Sequence, residues 1–197
     1  AAPTVNVVDA CGQSTLTASN YTGTLTWSTL ETTPSINVTV ASEFSVYQTV
    51  GGCNSALAYG ETAPIAVPSA PTVNVVDACG QSTLTASNYT GTLLWSTNET
   101  TASIVVTQAG NYTVTQTLNG CTSAAASGNA APIAIPAAPT VNVVDACGQS
   151  TLTASNYTGT LLWSTNETTA GIVVTQAGNY TVTQTVNGCT SAAASGN

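Results

Sequence analysis

The side chains of this chain that could take part in chemistry are six cysteines and eight carboxylates. The chain has no Lys, Arg or His. Without an amine or an imidazole, the many Ser and Thr hydroxyls have no side chain to activate them as nucleophiles. Two carboxylates could in principle act as the acid and base of a glycosidase. The pattern places Asp77 near a strand end and Glu99 in a loop, so nothing brings such a pair together. We therefore expect no enzymatic activity.

The lack of cations also limits the partners. The formal net charge is −8 at pH 7, and no basic patch exists to neutralise phosphates or to bind an anionic membrane surface. No apolar run is long enough to span a bilayer, and the amino-terminal AAPTVNVV lacks the charged start and apolar core of a signal peptide. We expect neither nucleic-acid binding nor membrane insertion, and a segment that is mature or excerpted.

The carboxylates suit calcium binding better than they suit catalysis. Asp9, Asp77 and Asp145 occupy equivalent places, and together with carbonyl oxygens they could bind Ca²⁺ where neighbouring units meet. The sequence has no dense DxDxDG pattern, so the alternative is a solvated carboxylate that keeps the surface soluble. We keep these three aspartates as calcium candidates and expect no other cofactor.

Three copies of one unit organise the chain. The segment APTVNVVDACGQSTLTASNYTG begins at Ala2, Ala70 and Ala138, which gives a period of 68 residues. Copies two and three differ at two of sixty aligned positions, whereas copy one has drifted further. The third copy stops before the segment that follows copy two, which suggests an excerpt from a longer array. The copies predict three domains, at residues 1–69, 70–137 and 138–197.

Short β-type runs between turn residues predict an all-β sandwich in each copy. Comparison of the copies assigns the strand faces, because side chains alternate between core and solvent. Leu94 becomes a threonine in copy one while its neighbours Leu93 and Trp95 persist, so these two point inward. In copy two we predict strands at 72–77, 81–86, 92–96, 103–107, 112–118 and 122–135, with a further short strand considered at 97–102.

The predicted core of each unit centres on one tryptophan and on one aromatic residue of a later strand. These residues are Trp27, Trp95, Trp163, Phe44, Tyr112 and Tyr180. The same reasoning puts Val114 and Gln116 on the inner face of the 112 strand. Two prolines in four residues separate the units, as in PAAP at 136–139, and they hold the backbone extended. Tandem sandwiches on such stiff spacers predict a rod.

Between Cys79 and Cys121 the chain resembles the immunoglobulin-like repeats of very large surface and secreted proteins of Bacteroidota. The resemblance is carried by Cys79, the TLTAS strand, Trp95, the AGNYTVT segment and the NGC turn. It implies an immunoglobulin-like sandwich, export to the cell surface, commonly by the type IX route, and service in adhesive or gliding filaments. Copy one departs at Phe44, which has no hydroxyl for a tyrosine-corner hydrogen bond.

Two pairings of the cysteines fit the repeat symmetry. Pairing within units would stabilise each domain by roughly 4 kcal/mol in the chain-entropy model; it joins Cys11 to Cys53, Cys79 to Cys121 and Cys147 to Cys189. Pairing across repeats joins Cys11 to Cys121 and Cys79 to Cys189, and leaves Cys53 and Cys147 for units outside the segment. Pairing between sequential neighbours, such as Cys53 with Cys79, and free thiols are further alternatives.

Strand direction favours the pairing across repeats. In an immunoglobulin-like order the strand after Cys79 and the strand before Cys121 run the same way, so the two sulfurs lie at opposite poles of one unit. At ~3.3 Å per residue they are on the order of 45 Å apart, whereas a disulfide needs Cα atoms within about 7 Å. The argument depends on a strand at 97–102, because a loop there would change the strand parity and restore the pairing within units.

The sequence therefore predicts an extracellular, cell-surface protein with a structural role. It would be a repeat segment of a long filament or stalk that gives reach, stiffness and attachment, with further repeats of the same chain and other copies of it as partners. The alternative is an adhesin module whose poles or Thr-rich faces engage cell-surface glycans. Near-identical neighbours could also exchange equivalent strands between units.

Overall fold

The computed structural model describes all residues from 1 to 197, and its regular elements are all β-strands. The chain groups into two compact units: the first holds residues 1–72, 87–101 and 113–126, and the second holds residues 73–86, 102–112 and 127–197. Repeat one lies wholly in the first unit and repeat three in the second, while repeat two contributes to both. The division into three domains at the repeat boundaries stays a prediction.

Repeat one forms seven strands in two antiparallel sheets. The strands are β1 (Thr4–Ala10), β2 (Gln13–Ser19), β3 (Thr24–Trp27), β4 (Ser35–Val38), β5 (Glu43–Val50), β6 (Cys53–Asn54) and β7 (Ala58–Glu61). One sheet has the order β1-β2-β4, and the other has the order β3-β5-β6 with β7 also paired to β5. This division of strands between two sheets is that of an immunoglobulin-like sandwich.

Repeats two and three supply the same pairs of sheets. Repeat two has β8 (Thr72–Ala78), β9 (Gln81–Ser87), β10 (Thr92–Trp95), β11 (Ser103–Val106), β12 (Gly110–Leu118), β13 (Cys121–Thr122) and β14 (Ala126–Ala130). Repeat three has β15 (Thr140–Ala146), β16 (Gln149–Ser155), β17 (Thr160–Trp163), β18 (Gly171–Val174), β19 (Tyr180–Val186), β20 (Cys189–Thr190) and β21 (Ala194–Gly196). The predicted all-β fold of tandem immunoglobulin-like sandwiches is confirmed.

Alternation of apolar and polar residues explains why these segments are strands. In β2, Leu16 and Ala18 are buried, while the two threonines that alternate with them lie on the outer face, where β-branched side chains suit the pleat. The face assignment in β10 agrees with the prediction, because Leu93 and Trp95 are buried and Leu94 is 52% exposed. Each strand of this kind can pack one face only, so two sheets must meet to form a core.

A tryptophan is buried in each repeat, and in repeats one and three it belongs to the hydrophobic core. Trp27, Trp95 and Trp163 are each 1% exposed. In every case the indole Nε1–H donates a 2.9 Å hydrogen bond to the main-chain carbonyl six residues further on; the acceptors are Thr33, Thr101 and Thr169. The polar end of the ring is therefore satisfied, which removes the cost of burying an unpaired donor.

The aromatic residue of the later strand differs between repeats. Tyr112 and Tyr180 are partly buried, and their hydroxyls donate to the carbonyls of Gln108 and Gln176, four residues upstream, at 3.0 and 2.9 Å. Both have the tyrosine-corner arrangement. Phe44 packs its ring against the core of repeat one and has no hydroxyl to make this bond.

Two predicted strands of repeat two differ in the structure. Residues 97–102 form a turn and a loop; in place of the strand predicted at 122–135 the structure has β13 and β14, and β14 ends at Ala130. The division occurs at Ser123, whose hydroxyl accepts the Gln116 N–H at 3.1 Å and donates to the Ala124 carbonyl at 2.7 Å. A side chain that bonds to its own backbone in this way competes with regular pairing.

The loop at 97–102 does not restore pairing within repeats, so that part of the prediction is wrong. The counterpart in repeat one shows why. The Trp27 N–H donates to the Glu31 carbonyl at 2.9 Å, and the Leu30 N–H donates to the Trp27 carbonyl at 2.9 Å. This tight turn reverses the chain after β3, and the Pro34 carbonyl then accepts the Ala18 N–H of β2 at 2.8 Å. A turn thus supplies the reversal that an extra strand was expected to supply.

Candidate functional site

The structure contains two disulfides, and both cross from one repeat to the next. Cys11 of repeat one bonds Cys121 of repeat two, within the first compact unit. Cys79 of repeat two bonds Cys189 of repeat three, within the second compact unit. Each disulfide has a Cα–Cα distance of 5.5 Å and a sequence separation of 110. We call these the amino-terminal joint and the carboxyl-terminal joint. The pairing is the cross-repeat alternative, and neither pairing within a repeat nor pairing of sequential neighbours occurs.

Cys53 and Cys147 carry free thiols and are exposed. Only four of the six cysteines predicted as disulfide residues are therefore bonded within this chain. The register explains the exception. Cys53 is the hairpin cysteine of repeat one and Cys147 is the turn cysteine of repeat three, so a spacing of 110 residues points to positions before residue 1 and after residue 197.

A two-residue turn presents Cys11 to its partner. β1 and β2 pair as far as Ala10 and Gln13, which leaves only Cys11 and Gly12 between them. Gly12 has a φ of +75°, a left-handed conformation that a side chain would strain. The segment after β7 returns to hold this turn, since the Gly12 N–H donates to the Ile65 carbonyl at 2.8 Å and the Ile65 N–H donates to the Ala10 carbonyl at 3.0 Å. These hydrogen bonds hold the turn within repeat one, in addition to the disulfide.

An Asn-Gly hairpin presents Cys121. Asn119 and Gly120 have φ angles of +51° and +80°, as the predicted two-residue turn requires, and Leu118 pairs with Cys121 across it. Cys121 is fully buried. The Cys11 sulfur lies 3.8 Å from the Gly120 carbonyl oxygen, which is a packing contact because a disulfide sulfur carries no proton. The second joint repeats this contact at Gly188, at the same distance.

A buried glutamine ties the spacer between repeats to the strand that carries the hairpin. Gln116 is 1% exposed; its Oε1 accepts the Thr90 and Gly91 N–H groups at 2.9 Å, and its Nε2 donates to the Ser69 carbonyl at 2.7 Å. Ser69 immediately precedes repeat two, so the start of the repeat is anchored to β12. Equivalent bonds join Gln48 to Ala1 and Gln184 to Ala137.

Sequence reasoning placed Gln116 on an inner strand face and gave it no function. The signal that could have identified it is a polar residue at an inward position, which must find hydrogen-bond partners when it is buried. All three repeats keep this glutamine. The partners themselves lie in the spacer and in the turn after β9, and they cannot be read from the strand pattern.

The aspartates predicted as calcium candidates bind protein donors. Asp77 Oδ1 accepts the Ser82 hydroxyl at 2.5 Å and the Ala131 N–H at 3.0 Å, and Asp9 has the equivalent bonds to Ser14 and Ala63. The serine hydroxyl first, and then the backbone N–H, lower the pKa of both carboxyls below the usual 3.8. The bonds fasten the segment after the last strand beside the turn cysteine.

Asp145 accepts the Ser150 hydroxyl at 2.7 Å. No group of three or more His, Cys, Asp or Glu side chains lies together where it could hold a metal ion. Calcium binding at Asp9, Asp77 or Asp145 stays a prediction.

The strand order and the paired sheets define the class of this protein, which is a tandem array of immunoglobulin-like sandwiches. Such sandwiches are compatible with a structural or binding module and with a non-enzymatic role. Two disulfides indicate an oxidising setting, as for extracellular or secreted domains. No helix of the chain is long and apolar enough to cross a membrane.

No protein-family profile matches the chain, and no curated protein sequence does. Similar solved structures include a mouse coronavirus receptor-binding domain complexed with its murine receptor, at 14% identity over 66% of this chain and 100% of that one, with a TM-score of 0.34. They also include a two-domain fibronectin type III segment of chicken tenascin (12%, 66% and 98%, TM-score 0.29) and murine CEACAM1b (14%, 62% and 96%, TM-score 0.26). These likenesses are distant, and the fold assignment rests on the strand order itself.

Proposed function

We propose that this chain is a structural segment of a long extracellular filament or stalk in which overlapping disulfides carry tension from repeat to repeat. The observation that carries the proposal is the separation of 110 residues in both disulfides, in an array whose period is 68. Because each closed loop is longer than the repeat, successive loops overlap between Cys79 and Cys121. The two joints therefore form one continuous series of overlapping covalent loops, which we call the disulfide ladder. Disulfides within repeats would instead close each repeat separately.

The overlap would keep the chain covalently continuous after a break in its backbone. The amino-terminal joint bridges a cut between Cys11 and Cys121, and the carboxyl-terminal joint bridges a cut between Cys79 and Cys189. Every peptide bond between Cys11 and Cys189 is therefore bridged by at least one disulfide. Disulfides within repeats would leave each spacer without such a bridge. Tolerance of single cuts suits a protein that is exposed to proteases and to load.

The ladder would also limit how far the unfolded chain can extend. The shortest covalent path runs from residue 1 to Cys11, across to Cys121, back to Cys79, across to Cys189 and on to residue 197. Its three stretches hold 10, 42 and 8 residue steps, so the path has about 60 steps where the open chain has 196. At about 3.5 Å per residue the full extension is about 210 Å with both joints closed and about 690 Å with both open.

The proposed setting is the cell surface. The chain has no Lys or Arg and so offers no cleavage site to trypsin-like proteases. Its repeats resemble those of Bacteroidota surface proteins, for which export by the type IX route is common, and we propose the same setting here. The proposed partners are further repeats of the same chain and other copies of it within the filament.

Single-molecule stretching of the chain, held at its two termini, tests this function. With both disulfides intact we expect a final contour length about one third of that after reduction. The variant C79S/C189S keeps only the amino-terminal joint and should reach about 300 Å, since its shortest path has about 86 steps. The variant C53S/C147S is the matched control and should behave as the unmodified chain does. A contour length that reduction does not change would contradict the proposal.

A further inference from the structure

We propose that one sheet face of repeat one is a docking surface for a different protein, which presents an arginine side chain to it. The surface lies on the outer side of the sheet of β3, β5, β6 and β7. It consists of Glu43, Tyr47, Leu57, Tyr59 and Glu61, and we call it the tyrosine-glutamate face. The inference does not depend on the disulfide ladder. It rests on the residues that repeat one alone carries, on the strand register that gathers them, and on the charge of the chain.

The residues of this face are ones that the other repeats lack. Six of the eight carboxylates of the chain recur at equivalent positions in all three repeats. The remaining two are Glu43 and Glu61, whose counterparts in repeats two and three are asparagines. Tyr47, Tyr59 and Leu57 have threonine, serine and alanine, respectively, as their counterparts. Repeat one therefore adds two charges and three large side chains where the other repeats have uncharged and mostly small ones.

The two glutamates lie directly opposite each other. β5 and β7 are antiparallel, and their register pairs Glu43 with Glu61. Side chains in such a pair have Cβ atoms about 4.5 to 5.5 Å apart, and like charges at this separation repel each other. Both glutamates are exposed, and the chain has no Lys, Arg or His to neutralise them. The pair is unfavourable in the free chain and becomes favourable when a cation from another molecule lies between the two carboxylates.

The tyrosines continue the same face. Tyr59 lies two positions before Glu61 in β7 and pairs with Ser45 of β5. Tyr47 lies two positions after Ser45, and residues two apart in a strand share a face. Diagonal neighbours of this kind are about 7 to 8 Å apart, within reach of aromatic side chains. Tyr59 is 56% exposed and Leu57 is 47% exposed, so the glutamate pair borders an exposed aromatic and apolar area.

An adjoining repeat does not cover the corresponding face. Repeat two is preceded and followed by a repeat, and its positions equivalent to the β7 side of the face are exposed; they are Ala125, Ser127 and Asn129. Leu94, on the outer side of the same sheet, is 52% exposed. Exposed tyrosines and a leucine on such a face indicate a surface for another molecule.

Charge and aromatic character identify the occupant as an arginine side chain. A second copy of this chain cannot supply it, because the sequence contains no Lys or Arg. A guanidinium group donates paired N–H groups to carboxylates, and it also stacks on aromatic rings within about 6 Å of the ring centre. Glu43 and Glu61 accept its N–H groups while the ring of Tyr59 lies against its plane. The partner is therefore a different protein with an exposed arginine, and apolar atoms beside that arginine cover Leu57.

Titration with a short peptide, followed by nuclear magnetic resonance of the oxidised chain, tests this surface. The probe is acetyl-Gly-Arg-Leu-amide, and acetyl-Gly-Gln-Leu-amide is the uncharged control. The arginine peptide should shift resonances of β5 and β7 and leave the equivalent strands of repeats two and three unchanged. Raising NaCl from about 0.05 M to about 0.5 M should weaken the binding. Shifts of equal size around all eight carboxylates, or none at β5 and β7, would overturn the inference.

Exchange of residues between repeats provides matched variants. E43N/E61N and Y47T/Y59S give repeat one the residues that the other two repeats carry, so both variants should keep the fold. Each should weaken binding of the arginine peptide about tenfold, because one removes the paired carboxylates and the other the rings. Binding of E43N/E61N that matches the unmodified chain would show the inference to be wrong.

The reverse exchange tests whether these five residues are sufficient. The variant N111E/T115Y/A125L/S127Y/N129E places the tyrosine-glutamate face in repeat two and should bind a second arginine peptide there. Failure to create this second site would count against the face as the binding determinant. Exposed tyrosines also suit neutral sugars, so maltohexaose is titrated in parallel. Shifts at β5 and β7 with maltohexaose and none with the arginine peptide would identify a glycan surface and overturn the inference.

Discussion

The hairpin that carries Cys53 in repeat one and the hairpin that carries Cys121 in repeat two share one backbone form and differ in their surroundings. Gly51 and Gly52 have φ angles of +59° and +81°, close to the values of Asn119 and Gly120. Cys121 is nevertheless buried and bonded, whereas Cys53 is exposed and free. The hairpin therefore belongs to the fold of a single repeat. The joint forms only where the turn of another repeat meets it.

The largest expected effect comes from removing a joint. The variant C11S/C121S should lower the free energy of unfolding by about 4 to 5 kcal/mol, the chain-entropy value for a loop of about 110 residues. C53S should change it by less than about 0.5 kcal/mol, because that thiol is exposed and unbonded. Urea denaturation without reductant measures both. Equal losses in the two variants would show that the bonded and free hairpins are energetically alike.

The loss of the anchoring glutamine should also cost more stability beside the bonded hairpin than beside the free one. Gln116→Leu leaves the Thr90 and Gly91 N–H groups and the Ser69 carbonyl without their partner, which should cost about 2 to 4 kcal/mol. Gln48→Leu should cost less, because Gln48 and Cys53 both line a cavity of about 350 Å³, where water can reach the groups that lose the glutamine. Urea denaturation of the two variants gives the comparison. A Gln48→Leu loss as large as that of Gln116→Leu would contradict this account of the cavity.

Acid should weaken the segments that hold the turn cysteines. The pKa of Asp77 is lowered in the folded chain by the Ser82 hydroxyl and the Ala131 N–H. The stability that this gives is present above the unfolded pKa, near 3.8, and is lost as pH falls through the lower folded pKa. Asp77→Asn keeps the acceptor oxygen but cannot titrate, so its melting temperature should fall less between pH 5 and pH 2. Equal slopes for the variant and the unmodified chain would rule out this contribution.

A smaller effect distinguishes repeat one from its neighbours. Leu30 has a φ of +75° and is 82% exposed, while its counterparts Asn98 and Asn166 have φ angles of +71° and +74°. Asparagine tolerates this left-handed conformation better than leucine does. Leu30→Asn should therefore raise the free energy of unfolding by about 0.5 to 1 kcal/mol, and Asn98→Leu should lower it by a similar amount. Thermal denaturation with Leu30→Ala as the control separates backbone strain from the loss of an exposed side chain.

Much of the fold follows from the sequence because the repeats can be compared with one another. The drift from Leu94 to threonine in copy one identifies the outer face of β10, and the Asn-Gly pair before Cys121 predicts the hairpin. Strand direction favours the cross-repeat disulfides for a reason that remains valid, since a tight turn after β3 reverses the chain without a strand. The pattern of strand residues thus predicts the sandwich fold and the pole of each repeat at which a cysteine lies.

The details of the joint could not be predicted, because they depend on hydrogen bonds between segments that are distant in sequence. Gln116 reaches Ser69 across 47 positions, and Ala131 reaches Asp77 across 54. Neither sequence separation follows from the alternation of residues along a strand, so the strand pattern cannot reveal these bonds. The exposure of Cys53 likewise depends on which repeat meets its hairpin, and that is not a property of the hairpin's own sequence.

The most direct test of the central claim is disulfide mapping after glutamate-specific cleavage under non-reducing conditions. The five glutamates divide the chain into six peptides, and the bonded cysteines lie in four of them. The overlapping joints predict peptide 1–31 linked to peptide 100–167, and peptide 62–99 linked to peptide 168–197. Finding peptide 1–31 linked to peptide 44–61 would place the disulfides within repeats and contradict the ladder.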